Sequence, residues 1–137
     1  MKHMTPEERK KLIKDLIDRI PTNKEKLFMY VISWKLVDSQ LIEQRIKPWI
    51  NKKISEYIGE EELSLVSFIC EKITGHVEPG KILQDLSMVL SSCRLFNLTK
   101  NFKVLDEEAE VFMVKLWRLI IYESEAKKLG ISSNPGA

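Results

Sequence analysis

The residues of this 137-residue chain whose type and spacing could do chemistry are its cations. Arg9, Lys10, Lys11 and Lys14 fall within six positions, and Arg45, Lys47 and Lys52 within eight. Lysine and arginine at this density neutralise phosphates, so both groups are candidate nucleic-acid contacts that act on backbone charge rather than on base edges. On a helix, Lys10, Lys11 and Lys14 project to the polar side. The competing meaning is a solvated face, because Lys11 and Lys14 stand four residues before Asp15 and Asp18. Pairs of that kind are worth only about 0.3 to 0.5 kcal/mol, too little to keep phosphates away. Arg94, Phe96, Lys100, Phe102 and Lys103 interleave basic and aromatic residues without an acid, the composition of a single-strand contact. The favoured reading of that stretch is nevertheless a loop whose two Phe residues tuck onto neighbouring helices. Charge is uneven along the chain: residues 1–53 hold 13 Lys+Arg against 7 Asp+Glu, a net of +6, and residues 54–137 hold 9 against 13, a net of −4. The first half is the side on which an acidic partner is expected.

Catalytic chemistry finds little support. His76 is followed by Val77 and Glu78, and His3 stands near the start, so no helix presents a pair of metal ligands. Cys70 falls on an apolar helix face and Cys93 is far from it, a spacing that fits neither a disulfide framework nor a zinc ribbon; both are read as free thiols in a reducing compartment. There is no glycine-rich phosphate loop. No enzyme activity, metal, cofactor or small-molecule substrate is expected. Lys115 and Arg118 interrupt the longest apolar run, Val111 to Tyr122, which is too short to span a bilayer, so no membrane partner is expected either. Met1-Lys2-His3-Met4 has none of the apolar character of a signal peptide, and the sequon Asn97-Leu98-Thr99 is discounted with it.

The elements that must position these residues read as helices. Thr5-Pro6-Glu7-Glu8 is a capping box with proline at the first helical position, and Leu12, Ile13, Leu16, Ile17 and Ile20 form one apolar stripe that Pro21 stops. Thr22 to Glu25 repeats the pattern and opens a short helix to about Tyr30. Ser33 is expected to cap a stretch from Trp34 to about Ile46, after which Pro48 restarts the chain in a helix that Gly59 ends. On that helix Trp49, Ile50 and Ile54 share an arc, which predicts Trp49 to be a core residue and gives Pro48, Trp49 and Ile50 a structural role. Lys52 points away from the arc and Lys53 lies beside the Trp49 ring. The next helix buries Leu65, Val66, Ile69, Cys70 and Ile73 and ends at Gly75; another starts at Pro79 with Ile82, Leu83, Leu86, Val89 and Leu90 on one side. Residues 91–104 read as a loop. From Asp106 the longest helix carries Ala109, Phe112, Met113, Leu116, Trp117, Ile120 and Ile121 over more than half its circumference, so it must be surrounded by the others.

Arg45-Ile46-Lys47-Pro48-Trp49-Ile50-Asn51-Lys52-Lys53 contains the tripeptide that names the PWI family. The match extends to Leu16-Ile17-Asp18, Ile20-Pro21-Thr22, Tyr57-Ile58-Gly59-Glu60-Glu61, Leu105-Asp106-Glu107-Glu108-Ala109-Glu110-Val111-Phe112, Trp117-Arg118 and Ile121-Tyr122-Glu123. Over roughly residues 12–130 the chain therefore resembles a PWI domain, preceded by a basic flank and helix start at 1–11 and followed by a polar, frayed tail at 131–137. Ser91 to Val104 departs from the family pattern as an inserted loop. The resemblance implies an all-α fold, a four-helix bundle with additional N-terminal helical segments. It also implies a nuclear, non-enzymatic module of a pre-mRNA splicing factor that binds RNA, or DNA, single- or double-stranded, with little sequence preference, alongside splicing-factor proteins. The alternative is a protein-docking module within splicing complexes that binds no RNA of its own.

Overall fold

The computed structural model describes residues 5–59, 61–92 and 102–130, and among these no strand forms. Helix α1 (Pro6–Arg19) opens as its sequence dictates: the Glu8 amide donates to the Thr5 hydroxyl at 3.1 Å and the Glu8 carboxylate accepts from the Thr5 amide at 2.9 Å. Pro21 ends it, and Asn23 caps α2 (Lys24–Phe28) by accepting from the Glu25 and Lys26 amides.

The chain from Ser33 to Ile58 departs from the sequence reading twice. Ser33 caps no helix, because residues 33–37 form a turn in which the Leu36 amide donates to the Ser33 carbonyl. That turn sets Trp34 edge-on to Trp117, with ring centroids 6.1 Å apart. The cap moves to Asp38, whose carboxylate accepts from the Leu41 amide at 2.8 Å. Nor does Pro48 restart the chain. In a straight α-helix its ring would meet the Gln44 carbonyl and one backbone bond would lack a donor. Instead α3 (Ser39–Leu41) passes through a π-helical turn, Ile42–Ile46, into α4 (Lys47–Ile58), and the Lys47 amide donates to the Ile42 carbonyl five residues back. The wider turn absorbs the proline while the helical path continues.

Gly59 ends α4 in the left-handed region, φ 93°, as its position predicts. Helix α5 (Leu63–Thr74) buries the five expected residues, and α6 (Pro79–Ser92) faces the core with Ile82 and Leu86. Helix α7 (Phe102–Leu129) begins four residues before the expected Asp106, and α6 runs two residues into the segment read as a loop. Of that segment, residues 93–101, with Cys93, Arg94, Phe96 and Lys100, lie outside the described residues, as do the side chains of Phe102 and Lys103 and the tail from 131.

Helices α4 to α7 form the four-helix bundle, and α1 to α3 add the N-terminal segments. Helix α7 is the surrounded one: it touches α1, α2, α6 and the π turn. Its end is tied to the early chain, since the Tyr30 hydroxyl donates to Glu125 at 3.3 Å and the Lys127 ammonium to the Leu36 carbonyl at 3.3 Å and to Asp38 at 2.9 Å.

Candidate nucleic-acid interface and an adjoining cleft

The two basic groups meet different fates. On α1, Lys10, Lys11 and Lys14 are exposed, and none has an ion pair among the described residues. The i,i+4 pairs of Lys11 and Lys14 with Asp15 and Asp18 are not formed, so this strip keeps its charge available. Arg9 is half-buried. In the second group only Lys52 stands exposed without an ion pair among the described residues. The Arg45 guanidinium grips Glu123 with two bonds, Nε to Oε1 and Nη2 to Oε2, both 3.3 Å, and the Glu123 side chain is only 5% exposed. Lys47 lies 3.6 Å from Glu43 one turn before it. Arg45 is therefore committed to an internal carboxylate, and a phosphate would have to displace it.

The three residues of the name-giving tripeptide take different places. Ile46, Ile50 and Ile54 form the inward stripe of this helix, at 0, 0 and 4% exposure. Trp49 sits on the flank of that stripe and is half-buried, so it is not the core tryptophan; that is Trp117, 1% exposed. The Trp49 ring stacks on Phe112, with centroids 5.6 Å apart, and the Lys53 ammonium stands 5.9 Å from its centroid. Pro48 is exposed and answers to the π turn.

Beside Trp49 lies an open cleft of about 460 Å³ that was not among the sites expected from the sequence. Ile17, read as part of the buried stripe of α1, is 43% exposed and forms one wall. Leu119 and Tyr122 of α7 form the other, and Lys53, Lys115 and Arg118 bring three cations to it. Lys115 and Arg118 are the residues whose charge interrupts the longest apolar run; that same interruption, three residues apart on one helix, was the available signal. Cys70 is buried, and burial pushes its thiol above the ordinary value, as expected of an inert structural cysteine. Among the described residues no cluster of His, Cys, Asp or Glu could hold a metal, and no helix is long and apolar enough to cross a membrane.

A helical bundle with the Pro-Trp-Ile motif at a π-turned helix start and α7 at its centre defines a class, and comparison with known proteins agrees: residues 44–128 match the PWI domain family. The chain belongs to that family. It is 55% identical over 125 residues to RNA-binding protein 25 of Mus musculus, covering 91% of this chain and 13% of that protein. It is 40% identical over 118 residues to RNA-binding motif protein 25 of Arabidopsis thaliana, 86% of this chain and 12% of that one. It is 30% identical over 123 residues to the U1 snRNP-associated protein usp107 of Schizosaccharomyces pombe, 87% and 16%. The chain thus spans a small part of the length of these relatives.

Proposed function

We propose that this domain is a nucleic-acid-binding module of a nuclear pre-mRNA splicing factor, which holds RNA, and DNA by the same chemistry, through phosphates and with little sequence preference. The observation that carries the reading is the α1 strip: Lys10, Lys11 and Lys14 are exposed, lack ion pairs among the described residues, and project from one helix. Lys52 on α4 is the second contact. Arg45 and Lys47 rank below these, because each already faces a carboxylate. The names of the relatives, RNA-binding protein 25 and a U1 snRNP-associated protein, support the same assignment and the company of splicing-factor proteins.

The test is a fluorescence-anisotropy titration of a generic single-stranded RNA from about 50 to 200 mM salt. Log affinity should fall linearly with log salt, by about 0.7 per contacted phosphate. The K10Q/K11Q/K14Q variant should flatten that slope by about two units and weaken unrelated RNAs alike, with an unchanged melting temperature. An unchanged slope in this variant would overturn phosphate recognition by α1.

A further inference from the structure

The cleft beside Trp49 differs in chemistry from the lysine strip. Its walls are apolar, Ile17 on one side and Leu119 and Tyr122 on the other, and no carboxylate lines it. Lys53 is partly neutralised by Glu56 at 3.4 Å, but Lys115 and Arg118 have no ion pair among the described residues. Arg118 is half-buried, and its Nε is buried without an acceptor among the described residues. A carboxylate does not reach that closed-off atom, but Arg118 lines the cleft, so its amino N–H groups are the charge-assisted donors for an acceptor that enters. Beyond Arg118 the apolar face of α7 stays open in a second hollow of about 280 Å³, where Val111 is 46% exposed and Val114 half-buried. Glu110 stands at that end, paired with Lys24 at 2.9 Å. From Val111 to Tyr122 the face runs about 17 Å at the helical rise, the span of a short peptide.

We propose that this cleft docks an acidic peptide segment bearing bulky apolar residues. An apolar side chain enters between Ile17 and Leu119, and a flanking carboxylate accepts from the Arg118 guanidinium with Lys115 beside it. Charge complementarity identifies the occupant: a face of apolar walls with two unpaired cations and no lining acid in its main hollow fits alternating apolar and acidic side chains. A nucleotide fits less well. Base recognition in a single strand needs a free aromatic platform. The Trp49 ring is stacked on Phe112 and has the Lys53 ammonium over it, and Tyr122, the other aromatic at the cleft, is half-buried and packed against the core.

The probe is the fluorescein-labelled peptide Glu-Asp-Phe-Glu-Asp-Leu-Glu-Asp, compared with one in which Ser replaces Phe and Leu and one in which Lys replaces the acids. Saturable binding by the first, with at least tenfold weaker binding by each control, is expected. Arg118→Gln and Ile17→Ser should each weaken it about tenfold, and amide shifts in the labelled domain should map to Ile17, Lys115 and Leu119. Both positions are at least partly exposed, so a melting curve separates lost docking from lost folding. Any of these results would overturn the proposal: no saturable binding of the first peptide; equal binding of the Ser peptide; a folded I17S and R118Q pair that binds as before; or a self-associating domain that I17S turns into a monomer, which would make a second copy the occupant. A tenfold loss of oligouridylate affinity in R118Q and I17S, with the peptide unable to compete, would hand the cleft to RNA.

Discussion

At the scale of single residues, what matters is which charges are spoken for. Arg45 and Glu123 are 78 positions apart, and their two hydrogen bonds close the π turn against α7. Removing one partner of a buried pair leaves the other charge without compensation, at about 3 to 5 kcal/mol. Arg45→Ala should therefore lower stability by about 3 kcal/mol in a urea titration, the lower end because Arg45 is 30% exposed. Lys52→Ala should stay within about 0.5 kcal/mol. A similar contrast separates the tryptophans: Trp117→Ala should cost about 3 to 5 kcal/mol and Trp49→Ala less, since Trp49 gives up a stack on Phe112 but fills no fully buried site. Sequence periodicity could rank neither case. It placed Trp49 on the arc of Ile50 and Ile54 because a helical wheel resolves faces no finer than the flank of a stripe. It could not pair Arg45 with an acid on another helix, because nothing local encodes a contact of that separation.

At the scale of elements, some helix ends were readable and the irregular turns were not. The Thr5 box and the Gly59 terminus follow from residue chemistry within one turn, whereas the second helix is capped by Asn23 one residue after Thr22, and Asp38 caps where Ser33 was expected. The end of α5 shows the limit. Gly75, expected to close it, has an ordinary φ of −81°, and the left-handed residue is His76 at φ 57°. His76 is held there by stacking on Trp34, with centroids 4.4 Å apart, a contact that no local pattern reveals. A left-handed non-glycine residue costs about 1 to 2 kcal/mol, and an aromatic stack returns about 0.5 to 1.5. His76→Ala loses the stack and keeps the strain, whereas His76→Gly loses both, so the glycine variant should melt above the alanine variant. The opposite order in paired thermal melts would mean that the backbone there is unstrained. Asp38 carries a pH dependence at this scale as well. The Leu41 amide first, and then the Lys127 ammonium, hold its carboxyl below the ordinary 3.8. A carboxyl held lower when folded contributes stability that is present above about pH 4 and is lost as pH falls through its folded value. Asp38→Asn keeps an acceptor for the cap but does not titrate, so its melting temperature should fall less steeply than that of the wild type between about pH 4 and 2.

At the scale of the whole molecule, the fold divides into a main core and a smaller seat for α1. One continuous cluster joins Ile20, Leu27 and the π turn to α4, α5, α6 and α7; Leu16 and Ala126, with Leu12, Ile13 and Tyr122 around them, make a second, smaller one, and Tyr122 packs against both. The lysine strip thus rides on a helix that meets the main core through Ile20 at its end and Tyr122 beside it. Elements fastened by few buried contacts open locally at lower free energy than the whole chain. Leu16→Ala removes the principal anchor of that seat, a loss of about 2 to 5 kcal/mol where fully buried. Because the seat is separate, the effect should fall on α1 alone: its amides should exchange hydrogen much faster, while those of α5 and α7 keep their protection. RNA affinity should drop with it and the salt slope should flatten toward that of K10Q/K11Q/K14Q, since lysines on a frayed helix must be ordered before they can act together. Uniform loss of protection across all helices would show that α1 is part of one cooperative unit. Lost protection in α1 with RNA affinity unchanged would show that its lysines need no rigid helix.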